Sequence, residues 1–419
     1  MKYLTVSLYH PRVMKGGAQY VAKDLHDAAR ADPGVTPVML AAIDGNRFPQ
    51  YSKVGASITA LPDSPDEFLL PGRQFDDFFH RIYDPRRNKA IKRFLEDQQP
   101  DVVHIHHSLW VGLEFIDLVR ATLPQARILY TLHEYLPICY AQGQLYRYHE
   151  HGICQDTRPD QCIGCFPKRT IDEFILRRRG FQQAFAKVDQ FISPSEYLRG
   201  RFIEWGVPPE KITVIANGHG RRRPDDWTPV HSTGVNVFGF FGQFVDAKGI
   251  DVALKAAATA ARETGQEVEL KVFGGNKEYA SADYLEKIEA VLEDAPDTLT
   301  VTEVGSYSRD NVFDLMATVD WVVTPSIWPE TFGLVVSEAW DARRPVLAAR
   351  AGGLDGRIID GVNGFSFLPG SDSELAQIMI RCLGNADLWQ KMAHEMPDEI
   401  TIETAWAAHK AAIAGIARA

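Results

Sequence analysis

Short runs rich in β-branched and aromatic residues alternate along this chain with longer stretches whose apolar positions recur every three to four residues. That alternation is the pattern of doubly wound α/β domains. Residues 3–8 read as a buried strand, and past Gly16-Gly17 the residues Ala18, Val21, Ala22, Leu25 and Ala29 fall at helical spacing. Further strands are predicted at 38–42, 101–105, 127–132, 190–193 and 212–215, with a basic amphipathic helix over 171–187. Over 217–234 the periodicity stops and turn formers and charges take over, so the domain linker is placed there. A second series follows, with strands at 237–241, 267–273, 298–304, 321–324, 345–349 and 364–367. Its helices fall near 249–263, 281–293 and 309–317, and from about 333. The last periodic segment, 400–418, collects Ile402, Ala405, Trp406, Ala412 and Ile416 on one broad face. The expected architecture is α/β: two Rossmann-like, doubly wound domains, 1–218 and 219–399, the first completed by a helix at 400–419.

At 419 residues, 45% of them apolar and 24% charged, the chain has the make-up of an ordinary globular protein with room for two cores. Its net charge of −10 argues against a dedicated nucleic-acid binder, which needs a basic surface to neutralise phosphates. No apolar run is long enough to span a bilayer, and the first strand, stopped by Pro11, is too short for a secretory signal core. A cytoplasmic location is expected. Several common site motifs are missing: Gly-x-Gly-x-x-Gly, His-Glu-x-x-His, Gly-x-Ser-x-Gly, and an Asp-x-Asp pair that would hold a divalent ion against a diphosphate. The stretch from Gly242 to Lys248 is not a P-loop either, because Ala247 precedes the lysine and Gly249 stands where Ser or Thr belongs.

The informative stretch is Pro325-Ser-Ile-Trp-Pro-Glu-Thr-Phe-Gly-Leu-Val-Val-Ser-Glu338. A strand ends in a proline-bracketed loop and a helix opens near Gly333, whose unpaired amides suit a diphosphate. Glu338 falls one to two turns into that helix, able to accept from ribose hydroxyls, and Glu330 lies in the preceding loop on the other side of the phosphates. Eight helical residues span ~12 Å, of the order of a sugar nucleotide from ribose to hexose. The plainer alternative is that both glutamates merely cap and solvate a helix start.

Glu330-x7-Glu338 around Phe332-Gly333-Leu334 resembles the paired-glutamate motif of the retaining glycosyltransferases of family four, whose GT-B fold sets two Rossmann-like domains facing a central cleft. The likeness runs in order along nearly the whole chain. It takes in Lys15-Gly16-Gly17-Ala18, Asp101-Val-Val-His-Ile-His-His107, Thr131-Leu-His133, Pro194-Ser195-Glu196 and Asn217-Gly218. In the second half it takes in Gly242-Gln243 through Lys248-Gly249, Gly274-Gly275, Gly352-Gly353-Leu354 and Asp360-Gly-Val-Asn-Gly364. The resemblance implies transfer of a hexose from a UDP- or GDP-linked sugar to an acceptor hydroxyl with retention, in polysaccharide, glycolipid or glycoconjugate synthesis, and no cofactor for catalysis.

It also implies roles. Lys248 would lie against the diphosphate, with Gln243 (where the family often has arginine), Phe332, Gly333, Leu334 and Glu338 around the donor. Glu330 would position sugar hydroxyls, and Gly17 would let the first helix close on the distal phosphate. His133, at a strand end, would hydrogen-bond the transferred sugar, and His106 or His107 would line the acceptor cleft. A GT-B-type epimerase and a non-catalytic nucleotide-sugar-binding module remain open alternatives.

Cys139, Cys154, Cys162 and Cys165 follow C-x14-C-x7-C-x2-C in the loop 139–165, the last pair at zinc-ligand spacing. A structural tetrathiolate zinc site is the expectation, with redox-sensitive thiols and disulfides left open. Beyond it, Lys168, Arg169, Arg177, Arg178 and Arg179 interleave with Phe166, Ile171, Phe174, Ile175, Leu176 and Phe181. The helix at 168–181 is either a peripheral contact with anionic membrane, reaching a lipid-linked acceptor, or a solvated face over a core stripe.

Overall fold

The computed structural model describes residues 1–416 apart from 53–55, 148, 151, 221–233, 235 and 276. Two compact units form, one from Met1–Gly143, Gln155–Gly220 and Ile400–Ala419, the other from Gln144–Cys154 and Arg221–Glu399. The stretch Gln144–Cys154, inside the cysteine-bearing loop expected to belong to the N-terminal domain, thus groups with the second unit. Most of the expected linker at 217–234, with Arg221–Arg223, lies outside the described residues.

The first unit is built on an eight-stranded sheet. Its order is Ile212–Val214, Gln190–Ser193, Arg127–Thr131, Val102–Ile105, Lys2–Leu8, Thr36–Asp44, Ser64–Gly72, Thr59–Leu61, and only the last strand runs antiparallel. Val6 sits between Leu40 and Ile105 in register. The central strands are nearly continuous runs of apolar residues, as both faces of a parallel sheet must be covered. The strand Ser64–Gly72 escaped the periodicity because Pro65 and Pro71 interrupt it; both sit near its ends, where a missing N–H does least harm to a ladder. The helix Pro85–Gln98 was masked by its basic residues. Its start is nonetheless locally encoded, with Pro85 in the first turn and the Asp84 carboxylate accepting from the N–H groups of Arg86 and Arg87.

The second unit holds a six-stranded, all-parallel sheet in the order Leu299–Glu303, Val268–Phe273, Val237–Phe241, Trp321–Thr324, Val346–Ala349, Gly364–Phe367. Strand order reverses direction between Val237–Phe241 and Trp321–Thr324, and in an open α/β sheet the ligand crevice opens beyond the carboxyl ends of such a pair. On one face lies the helix Ile250–Thr264, whose Ala253, Ala256, Ala257 and Ala260 allow close packing on Phe238, Leu270 and Trp321. On the other lie Val336, Ala339 and Trp340 with Val312, Phe313 and Met316.

The C-terminal helix Ile402–Gly415 completes the first unit. Its Trp406 indole donates to Asp32 at 3.2 Å, and Lys410 reaches the same carboxylate at 2.6 Å. The bond from Lys410 foremost, then that from the Gly34 N–H and that from Trp406, hold the Asp32 carboxyl down at about 2. Among the described residues, no helix is long and apolar enough to cross a membrane.

Candidate active site

In the second unit, two loops meet at the reversal point of the sheet. The loop after Val237–Phe241 turns through a short 3-10 segment, Asp246–Lys248, and ends at Gly249 with φ 68°. A Cβ on Gly249 would stand 2.1 Å from the carbonyl oxygen of Pro325 in the other loop, so only glycine permits the approach. The Ile327 N–H closes it by donating to the Ala247 carbonyl at 3.0 Å. From the other side Gly352, at φ 65°, would place a Cβ 2.4 Å from the Glu330 carbonyl oxygen, to which the Gly353 N–H donates.

Clamped in this way, Lys248 and Glu330 come together across 82 positions of sequence, ammonium to carboxylate at 2.6 Å. The same Oε1 accepts from the Ser326 hydroxyl at 2.6 Å and the Trp328 indole at 3.0 Å, and the ammonium lies 5.2 Å from the Trp328 ring centroid. Burial pushes the Glu330 carboxyl up, but the Lys248 charge and these three donors outweigh it and hold the group below its ordinary range. Glu330 is therefore an ionised, buried carboxylate.

Gly333, at φ 83°, caps the helix Leu334–Asp341. Arg357 braces that start: its guanidinium lies 4.2 Å over the Phe332 ring and donates to the carbonyls of Phe332 at 2.8 Å and Gly333 at 3.1 Å. One turn on, the half-buried Glu338 behaves unlike Glu330. Burial pushes its carboxyl up to about 7, and the charge of Arg309 offsets this only in part. One crevice thus carries one carboxylate held ionised and another that titrates near neutrality.

In the first unit, His133 follows the strand Arg127–Thr131 and is half-buried. Its Nε2 lies 3.0 Å from Nδ1 of His106, with the rings stacked at 18°. Behind them His104 is bonded at both nitrogens, to the Tyr3 hydroxyl at 2.5 Å and to Thr131 Oγ1 at 2.6 Å. His409, from the C-terminal helix, stands 5.5 Å from His104. Burial lowers all of these imidazoles, His133 to about 3 and His409 to about 4, so the cluster is neutral at physiological pH.

Two family models divide the chain between them: "Glycosyltransferase Family 4" over residues 15–219 and "Glycosyl transferases group 1" over residues 222–398. The chain belongs to the family-four glycosyltransferases of the GT-B fold. A D-inositol 3-phosphate glycosyltransferase of Rhodococcus opacus is 31% identical over 204 residues, 46% of this chain and 45% of its own length. An uncharacterized glycosyltransferase of Methanocaldococcus jannaschii is 27% identical over 266 residues, 59% of this chain and 69% of its own. Anabaena HepE, solved with UDP and glucose, superposes with a TM-score of 0.64 at 17% identity, covering 99% of this chain and 100% of that one. That likeness concerns the fold.

In this glycosyltransferase the residues expected at the donor crevice do not all stand alike. Lys248, Glu330, Phe332, Gly333, Leu334 and Glu338 lie on the two clamped loops and the helix they open. Gln243 is exposed ahead of the Lys248 turn, and Gly17 is exposed as the first residue of the helix Gly17–Ala31 in the other unit. His106 or His107 was expected to line the acceptor cleft; the two are 1% and 6% exposed, and beside them His133 is half-buried. His107 accepts from the Leu109 N–H at 3.1 Å, and burial lowers it to about 4.

Ser326 and Trp328 were missed as partners of Glu330 although they lie inside the motif; Arg309, Arg357, Tyr3 and His409 carried no signal, since only folding brings them near. Arg177 needs correction. Expected on an outward basic face, it is buried at 3% exposure, donates to the carbonyls of Leu136 and Pro137, and stacks 4.8 Å over Phe181. Helical spacing puts position 177 on the same stripe as Phe174 and Phe181, and a flat guanidinium can pack on rings.

Among the described residues, no three of Cys139, Cys154, Cys162 and Cys165 bring their sulfurs within 4.8 Å of one another. The group that does meet that distance is His26, Asp27 and Glu67, and it is already occupied by cations, with Lys23 2.5 Å from Asp27 and Arg30 2.8 Å from Glu67.

Proposed function

We propose that this chain is a retaining glycosyltransferase that moves a hexose from a UDP- or GDP-linked sugar to an acceptor hydroxyl, in polysaccharide, glycolipid or glycoconjugate synthesis. The observation that carries the reading is the Lys248–Glu330 pair at the reversal point of the second unit's sheet, beside a helix start. The solved complexes of HepE with UDP and with UDP-glucose support a nucleotide-sugar donor.

On this reading the diphosphate draws Lys248 away from Glu330, and the ammonium neutralises charge that develops on the leaving group. Amides at the start of the helix Leu334–Asp341 add to that stabilisation, and Glu338, when ionised, accepts from the ribose hydroxyls. Glu330 Oε1 takes three donors, which leaves Oε2 for sugar hydroxyls and makes the carboxylate a weak nucleophile. Its role is positioning. The departing phosphate then takes the acceptor's proton on the same face of the sugar, which keeps the anomeric configuration. In the first unit, His133 binds a sugar oxygen.

A panel of UDP- and GDP-sugars read by thermal shift identifies the donor, since a ligand that binds only the native state raises its stability. The right donor is then released slowly as free sugar in the absence of acceptor; stabilisation with no release from any donor points instead to a binding module. Glu330→Gln raises the donor KM and traps no intermediate, and a glycosyl adduct on Glu330 overturns the positioning role.

Two further proposals lie outside the crevice. The outer side of the helix Ile171–Phe185 leaves Ile171 and Leu176 41% and 57% exposed between the exposed Lys168 and Arg179, and we assign to it a peripheral contact with anionic membrane. Flotation with phosphatidylglycerol vesicles, lost in Leu176→Glu, is the expected result. A structural zinc on the four cysteines requires their sulfurs to draw together, and metal analysis well below one equivalent per chain retires it.

A further inference from the structure

The histidines of the first unit stack in the order His409, His104, His106, His133, with successive ring centroids 5.5, 4.1 and 5.3 Å apart. The protons that matter are those of the pair His106 and His133. His104 shares one hydrogen bond with the buried Tyr3 hydroxyl at 2.5 Å and another with Thr131 Oγ1 at 2.6 Å, and because each hydroxyl can donate or accept, either tautomer fills both nitrogens. Burial keeps His104, which lies against His106, neutral, and does the same for His106 and His133.

One proton is then shared in the 3.0 Å contact between His106 Nδ1 and His133 Nε2, and it can lie on either side. If His133 donates, His106 must hold its own proton on Nε2, a buried atom with no hydrogen-bond partner among the described residues. If His106 donates, that Nε2 is a bare lone pair instead. A buried N–H without an acceptor is the rarer and costlier of the two states, so the second arrangement is favoured. His133 must then keep its proton on Nδ1.

We propose that His106 is a positioning residue that holds His133 in the Nδ1–H tautomer, so that His133 meets a sugar oxygen as a hydrogen-bond donor and not as a base. This rests on the reading of His133 as a sugar-binding group given above, and it adds a constraint to that reading. A neutral His133 whose Nε2 accepts from His106 and whose Nδ1 is protonated has no lone pair left for an acceptor's proton. Deprotonation then falls to the leaving phosphate.

The direct test is the full chain labelled with nitrogen-15 histidine, observed by two-bond proton–nitrogen correlation near neutral pH, with the His133→Gln spectrum assigning the ring. Nδ1 protonated and Nε2 bare is the expected pattern; a ring protonated at Nε2 overturns the proposal. Two substitutions add a kinetic readout. His106→Asn keeps an N–H donor near the place of Nδ1, whereas His106→Asp offers only acceptor oxygens and draws the His133 proton to Nε2. The Asn variant should keep the wild-type ring pattern, and the Asp variant should show the Nε2–H pattern with kcat about tenfold lower at little change in donor KM, the scale of one hydrogen bond made in the transition state. Equal kcat in the two variants overturns the proposal. The spectrum is taken on the free protein, so an Nε2–H signal defeats this proposal whatever the donor assay reports. Failure of the donor assay defeats the functional reading whatever the spectrum reports.

Discussion

The two glutamates of the second unit share a sequence motif and differ in proton affinity because their surroundings differ. Glu330 faces an ammonium and two neutral donors, whereas Glu338 is desolvated with only Arg309 in partial opposition. Glu338, raised from its ordinary 4.5 to about 7, keeps a proton in the native state that the unfolded chain has already released. Over that window the unfolded state binds fewer protons, so the group's contribution to stability is complete below about pH 4.5 and lost as pH rises through about 7. In Glu338→Gln that loss is absent. The difference in Tm between variant and wild type should climb across the window and then level off, and parallel curves contradict the assignment. Nucleotide binding should tighten in the wild type from about pH 6 to about pH 8 as the carboxylate forms, and stay flat in the variant, as calorimetry can read. For Glu330 the relevant term is its partner. Lys248→Ala leaves a buried carboxylate with only neutral donors and should cost about 1–3 kcal/mol in denaturant unfolding, the ammonium being partly solvated. Adding Glu330→Gln should recover part of that loss, which a double-mutant cycle measures.

At the scale of elements, the crevice depends on loops held closer than side chains allow. Gly249 and Gly265 flank the same helix, Ile250–Thr264, with nearly equal φ of 68° and 65°. A Cβ on Gly265 meets nothing within 4 Å, whereas one on Gly249 meets the Pro325 carbonyl at 2.1 Å. Alanine at 265 should therefore cost about 1 kcal/mol, the left-handed strain alone, and alanine at 249 about 3 kcal/mol or more. Only the second should weaken nucleotide binding, because it displaces the turn that carries Lys248 from the Pro325 loop; equal losses in the two variants contradict the clamp. The strands leading into both loops were legible in the sequence as β-branched runs, and Trp321–Thr324 and Gly364–Phe367 coincide with their predicted bounds. The helix Leu334–Asp341 was legible through Gly333. Ser64–Gly72 and Pro85–Gln98 were not, because prolines in the one and basic residues in the other hide the apolar period on which such readings depend.

At the scale of the whole molecule, the last stretch of chain folds with the first. The amphipathic face of Ile402–Gly415 was plain in the sequence, but its neighbours were not, since nothing local links Trp406 to Tyr3 or His409 to His104 across three to four hundred residues. In the structure Trp406 packs edge-on against Tyr3 at 5.2 Å and donates to Asp32, while Thr401 bridges His219. A Cβ on Gly218 would stand 2.6 Å from the Thr401 carbonyl, so the chain is held tightly where it re-enters the unit. The helix therefore forms a wall of the histidine network. Trp406→Ala should cost about 3–5 kcal/mol by opening that wall. Removal of residues 400–419 should expose the strands Lys2–Leu8 and Val102–Ile105 to amide exchange, and leave Trp321–Thr324 and Val346–Ala349 protected in the other unit. Hydrogen exchange on the truncated chain decides it: loss of protection in both sheets would mean that the units fold as one cooperative body, and protection kept in both would mean that the helix is an ornament on a unit already complete.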